Sequence, residues 1–462
     1  HKSCSGEGRS RMSLVWYALW FVIAVGLLVT VHEFGHFWVA RRLGFKVLRF
    51  SVGFGRPLLK RVAGVDRIEY VLAAIPLGGY VKLLDEREGP VEPHELARSF
   101  TRRPPWQRIV VLLAGPAFNI LFAVLVLWGM FWVSGVTEIR PRVGQVMPGS
   151  IAARAGLHSG DDIRAINGSA VSSQRDVLFG LLDAMSARGE ADLNVHGADG
   201  AVREAILRVP DVAQRRHLTE PAELLRGLGF EFWTPPDAVI GQVTSGGAAA
   251  RAGLLAGDRI EAIDGAPVKN FEDIVRRVRA RPGAAARITY SRAGIEHTAQ
   301  LQIAAEEVSG KRIGRIGISG FPQSMLQHTD LNAVSALARA ADEAWTMTVL
   351  QARMFWRMVL GRVSLKNLSG PLSIAEYAGD SAEAGVAPFL SFLVLISLSL
   401  GFLNLLPIPI LDGGQILFQL VEWLKGSPLS ERAQAFGQQV GIALLIVLMG
   451  VALYNDIARQ FS

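Results

Sequence analysis

Cysteine is almost absent: Cys4 is the single one in 462 residues. One thiol excludes an internal disulfide and any cysteine-built metal cluster. Charge is sparse as well. Asp, Glu, Lys and Arg make up 19% of the chain, against about 25% in ordinary soluble domains, while 50% is apolar. A mean hydropathy of +0.29 is too high for a soluble protein of this length. No basic block stands apart. The net charge of +7 comes from Lys and Arg scattered among acids, which fits membrane topology and argues against a nucleic-acid partner.

What the chain has instead is long apolar runs. Four of them, at 13–40, 106–133, 388–411 and 436–455, are long enough to cross a bilayer as helices. The first is too long for a signal-peptide core, and no small-residue cleavage site follows it. The polar residues 1–12 ahead of it are expected to form a disordered extension. Between the first two runs, residues 41–108 carry 14 Lys and Arg, so this loop is expected on the cytoplasmic side. Four crossings then put 136–387 outside, a loop at 421–435 inside, and both termini outside.

Ionisable groups inside an apolar run are expensive, yet the first run holds His32-Glu33-Phe34-Gly35-His36. The four-residue spacing puts both histidines on one helix face, where two imidazoles can bind one metal ion. Glu33 projects beside them, placed to take a proton from water. The plainer reading is a set of polar residues that hold helices together. Two histidines leave a catalytic zinc one protein ligand short. The third run ends in Asn404-Leu405-Leu406-Pro407-Ile408-Pro409-Ile410-Leu411-Asp412-Gly413-Gly414. Its prolines break a helix at membrane depth, which is tolerated where the freed backbone faces protein or a cavity. Asp412 is the one acid there. The expected topology puts it at the same depth as His32 and His36, so it is the candidate third ligand; a helix cap or an Arg partner is the alternative.

The large outer region contains a repeat. Residues 144–168 recur 97 residues later at 241–265, with 16 of 25 positions identical, including Arg154-Ala155-Gly156-Leu157 against Arg251-Ala252-Gly253-Leu254. A repeat this long is a whole small domain. The pattern A-x-x-A-G-L-x-x-G-D-x-I-x-x-I-[ND]-G resembles the PDZ domains of bacterial envelope proteases, which bind extended peptides by adding a strand to a sheet edge. Peptide binding and simple shielding of the membrane site are both open. Gly227-Leu228-Gly229-Phe230 falls between the copies and reads as a strand end.

HEFGH in the first run, NLLPIPILDGG in the third and two PDZ-like copies between them resemble the site-2 protease family of intramembrane zinc metalloproteases, most closely its bacterial, sigma-E-regulating branch. Gly115-Pro116-Ala117-Phe118-Asn119, Ile75-Pro76-Leu77-Gly78-Gly79-Tyr80 and Leu368-Ser369-Gly370-Pro371-Leu372-Ser373 match as well. The resemblance implies Zn²⁺ held by His32, His36 and Asp412, with Glu33 as the catalytic base and no other cofactor. Asn404 would contact substrate or the oxyanion, with a helix cap or an interhelical hydrogen bond as the alternative. The implied substrates are single-span membrane proteins, namely an anti-sigma factor after a first cut and remnant signal peptides. The implied location is the bacterial inner membrane, with periplasmic PDZ domains and an active site toward the cytoplasm. A silent peptide-holding adaptor and an ion transporter are weaker readings, because the base and all the ligands are present and no second charged relay is.

The expected architecture is therefore a polytopic α-helical membrane protein of four transmembrane helices, with a membrane-associated β-loop and two extracytoplasmic PDZ-like α+β domains. Helix 13–40 carries HExxH, and 41–105 forms a cytoplasmic or re-entrant β region, for which an ordinary hairpin is also open. Helix 106–133 follows, then PDZ domains at 136–230 and 231–320. An amphipathic helix at 331–363 lies at the membrane interface or packs beneath the PDZ pair. Helices 388–414 and 436–455 complete the chain.

Overall fold

The first apolar run folds as α1 (Gly6–Arg42). The computed structural model describes residues 6–197, 199–220, 222–233, 238–268, 271–292, 294–308, 311–320 and 325–460. Residues 6–12, expected to be disordered, continue α1 as helix, while 1–5 lie outside the described residues. Arg41 and Arg42 close the helix, stacking over Phe37 and Trp38 while complementing the negative end of its dipole. A long antiparallel hairpin follows, β1 (Val47–Ala63) and β2 (Ile68–Leu83), with register shifts along its length. Its far end exposes Leu58, Leu59 and Val65. Then comes α2 (Pro105–Ser134), which starts on a proline, where a missing N–H costs nothing. Phe45, Val47 and Ile68 from the hairpin region form one buried cluster with Phe37 and Ala40 of α1 and Val111 of α2.

The chain divides into two units, the second comprising Gly135–Asp330 and Arg357–Ser364. Its entry strand β3 (Val136–Ile139) is followed by β4 (Val143–Val146), α3 (Ile151–Arg154), β5 (Asp162–Ile166), β6 (Ser169–Ala170), α4 (Gln174–Ala187), β7 (Glu190–His196), β8 (Val202–Arg208), α5 (Val212–Leu218), α6 (Glu223–Leu228) and β9 (Phe230–Phe232). The second copy follows as β10 (Gln242–Val243), α7 (Ala248–Arg251), β11 (Arg259–Ile263), β12 (Ala266–Pro267), α8 (Phe271–Arg279), β13 (Ala285–Arg292), β14 (Ile295–Gln302), β15 (Ala304–Val308), β16 (Lys311–Arg315) and β17 (Ile318–Ser319). The exit strand β18 (Leu326–Thr329) pairs antiparallel with β3. The copies share strand order: β6-β5-β7-β8 with a separate β4-β9 pair, and β12-β11-β13-β14 with β10-β17. Each has its own core, around Leu181, Leu193 and Phe230 in one and Ile263, Ile288 and Leu301 in the other. Gly229 caps α6 and Phe230 opens β9, so the Gly227–Phe230 string leads into a strand and does not end one.

The repeated residues explain themselves locally. Asn167-Gly168 and Asp264-Gly265 take φ of 49° and 79°, and 52° and 76°, the doubly positive turn that joins two strands through two residues. Asp161 and Asp258 accept the N–H of His158 and Leu255 and pair with Arg203 and Arg292. Burial pushes the Asp258 carboxyl up, but the Arg292 guanidinium and the Leu255 N–H outweigh it and hold the group below the usual carboxylate range.

The rest of the first unit is α9 (Ala333–Val359) as far as Trp356, α10 (Pro371–Ala384), α11 (Val386–Asn404), α12 (Asp412–Lys425) and α13 (Glu431–Gln460). The amphipathic helix expected at 331–363 is α9. Among the described residues, four helices are long and apolar enough to cross a membrane, spanning Val15–Arg42, Pro105–Ser134, Val386–Asn404 and Arg432–Arg459. Helix α10 was not legible. Its first turn is capped from another helix: the Asp456 carboxylate in α13 accepts the N–H groups of Gly370, Leu372 and Ser373. The span expected at 388–414 stops at Asn404, before Pro407 and Pro409, and α12 runs into only the start of the loop expected at 421–435, as far as Lys425.

Candidate active site

Helix α1 carries His32 and His36 one turn apart on the face toward α2, and the start of α12 brings Asp412 to them. His32 Nε2 lies 3.0 Å from Asp412 Oδ2, His36 Nε2 lies 3.5 Å from that same oxygen, and the two Nε2 atoms are 3.2 Å apart. Two segments some 376 positions apart in the chain (His36 to Asp412) thus meet at one point. A zinc ion with bonds of 2.0–2.2 Å in tetrahedral geometry needs its donor atoms about 3.3 Å apart, which is what these three provide. His36 Nδ1 is 2.7 Å from the Val111 carbonyl oxygen. A carbonyl only accepts, so Nδ1 carries the proton and Nε2 keeps its lone pair for a metal.

Room for an ion comes from α2. A Cβ at Gly115 would lie 2.3 Å from His36 Nε2 and 2.7 Å from His32 Nε2. A residue without a side chain therefore stands beside the donor atoms. The nitrogen and oxygen donor set, its spacing and this gap together fit zinc.

Glu33 lines the same cavity of about 600 Å³ as the three donors, together with Tyr80, Asp85, Arg87 and Phe100. Strand β2 passes directly over it. Glu33 accepts the Val81 N–H, and a Cβ at Gly79 would sit 2.9 Å from Glu33 Cγ. The hairpin thus reaches the reactive end of α1. Below the site, Arg108 in the first turn of α2 pairs with Glu422 of α12 at 3.0 Å, both buried, and so ties the Asp412 helix to the one that supports His36.

Of the residues singled out in the sequence, His32, Glu33, His36 and Asp412 converge. Asn404 ends α11 and is not among the residues lining the cavity. Three contributors were assigned no role from the sequence: the Val81 N–H, and Gly115 and Asn119, whose amide approaches His32, both read only as part of a motif that matches the family. Gly115 and Asn119 sit in one short motif of α2, and an Asn in the middle of a membrane helix was the available signal.

Peptidase family M50 matches residues 20–448. The regulator of sigma E protease of Salmonella typhi is 40% identical over 455 residues, covering 97% of this chain and all of that protein. The regulator of sigma-E protease of Escherichia coli is 38% identical over 453 residues, with 97% and 100% covered. A Neisseria meningitidis protein that carries zinc metalloprotease in its name is 40% identical over 449 residues, with 95% and 98% covered.

Proposed function

This chain belongs to peptidase family M50, the site-2 proteases, and is a multi-pass inner-membrane zinc metalloendopeptidase; from that premise we propose which of its residues do the work and on what. His32, His36 and Asp412 hold the zinc, and Glu33 is the general base. The observation that carries this assignment is the meeting of three donor atoms at tetrahedral spacing opposite the missing side chain of Gly115.

A zinc ion in that position acts as a Lewis acid on the scissile carbonyl and makes a water molecule more acidic. Glu33 takes a proton from the water as its oxygen adds to the carbonyl carbon. The same proton passes to the leaving nitrogen as the C–N bond breaks, giving a new carboxyl end and a new amine. Val81 holds the Glu33 carboxylate by its N–H, which fixes the direction in which the base works. Asn404 is proposed to contact the substrate or its developing oxyanion, on the strength of the motif it opens.

A helical substrate hides its peptide bonds, so it must be drawn out before attack. The β1–β2 hairpin, read as a membrane-associated β-loop, is suited to drawing it out, since an extended segment added along β2 satisfies its own backbone groups in a dry site. The substrates are single-span membrane proteins, an anti-sigma factor after a first cut and remnant signal peptides, in keeping with relatives named for regulating sigma-E. The two PDZ-like copies face the periplasm and either hold an extended peptide or exclude substrates that still carry a bulky outer domain. The active site faces the cytoplasmic side.

The test is cleavage of a single-span substrate by the full chain in detergent, beside Glu33→Gln, with bound zinc measured in both. The proposal expects about one zinc per chain in each and cleavage only by the parent. Equal cleavage by the variant would remove Glu33 from the role of base.

A further inference from the structure

Asn119 is fully buried in α2, and its amide stands 3.3 Å from His32 Nδ1, on the side of the ring away from Asp412. Its Oδ1 has no hydrogen-bond partner. We propose that Asn119 is the positioning residue of His32: its amide oxygen accepts the Nδ1 proton and so frees Nε2 for the metal. This rests on the reading of His32 as a zinc ligand.

A neutral imidazole carries one proton. His32 can offer the Nε2 lone pair only with that proton on Nδ1, and a buried N–H without an acceptor is costly. His36 has the Val111 carbonyl for this purpose. Among the described residues, the group His32 Nδ1 meets is the Asn119 amide. An amide serves either tautomer. With Nδ2 toward the ring, Nδ1 accepts and Nε2 holds the proton, which suits its 3.0 Å approach to Asp412. A half-turn about Cβ–Cγ presents Oδ1, and the ring takes the tautomer a metal requires. The backbone at this position is tied to α11 separately from the amide: the Asn119 backbone carbonyl accepts the Ser397 hydroxyl at 2.8 Å. His32 is therefore matched to the metal by a side chain that can turn, and His36 by a backbone group that cannot.

The experiment measures zinc affinity of the full chain in detergent by competition with a chelator of known affinity, for the parent, Asn119→Leu, Asn119→Asp and Ser397→Ala. Thermal unfolding of each metal-free chain is followed alongside. Loss of the acceptor in Asn119→Leu is expected to weaken zinc binding by about 10- to 100-fold, the usual effect of removing a partner behind a metal-binding His. Asn119→Asp keeps an acceptor and is expected to bind zinc at least as tightly as the parent. Ser397→Ala loosens the same helix contact without touching the amide and is expected to leave zinc affinity unchanged. Parent-like affinity in Asn119→Leu overturns the proposal, as does a tenfold or greater loss in Asn119→Asp, which also decides the matter if the Leu variant fails to fold. If the parent itself binds no zinc, the assignment of His32, His36 and Asp412 falls, and this inference with it.

Discussion

At the scale of single residues, the site is defined as much by what is missing as by its ligands. Gly115 lies within a helix, where alanine would ordinarily be favoured by about 1 kcal/mol. A methyl group there would nevertheless occupy the space in front of both Nε2 atoms. Gly115→Ala is therefore expected to retain its helical fold, with loss of bound zinc and of proteolysis, read from metal content and a melting curve on the same preparation. Retention of zinc at parent affinity would show that the ion does not need that space. His32, Glu33, His36 and Asp412 were legible because ionisable side chains in apolar runs demand a reason. The roles of Gly115 and Asn119 were not, although both stand in a motif that matches the family, since a glycine or asparagine in a membrane helix reads equally well as a packing contact or as glue between helices.

Among the elements, the ones read correctly announce their own periodicity or their own turn. Helix α1 carries no ionisable acid or base from Ser13 to Val31 except the phenol of Tyr17, and each copy of the repeat prints an Asn-Gly or Asp-Gly where two strands must reverse. The ones misread depend on partners. Helix α10 takes its cap from Asp456, 83 residues beyond Ser373, and Pro371 is the local sign of its start. The break after Asn404 was visible in Pro407 and Pro409, but that the chain resumes at once as α12 follows from where Asp412 must sit. The repeat also fixes an acid dependence. Asp258 is held below its usual range by Arg292 and the Leu255 N–H, whereas an unfolded Asp titrates near about 3.9. A carboxyl whose folded value is depressed contributes its full stability above the unfolded value, and that contribution is lost as pH falls through the folded one. Unfolding temperatures of the second unit, followed in the full chain, are expected to drop as pH is lowered below about 4, and Asp258→Asn to flatten that dependence. An identical pH profile in the variant would contradict this.

For the whole molecule, composition alone set the class. One cysteine and little charge left a membrane protein with nitrogen and oxygen ligands for any metal, and four apolar runs became four helices able to cross a bilayer. The internal repeat became two small domains, each with a core of its own. What composition does not contain is the meeting of α1 with the start of α12 over α2, because that depends on packing between helices far apart in the chain. The central claim is that this meeting holds one zinc. The most direct measurement is zinc per chain after gel filtration in detergent, for the parent and for Asp412→Ala, with both shown to be folded. The account predicts about one zinc in the parent and loss of it in the variant, although both histidines remain. Full zinc retention by Asp412→Ala would contradict it.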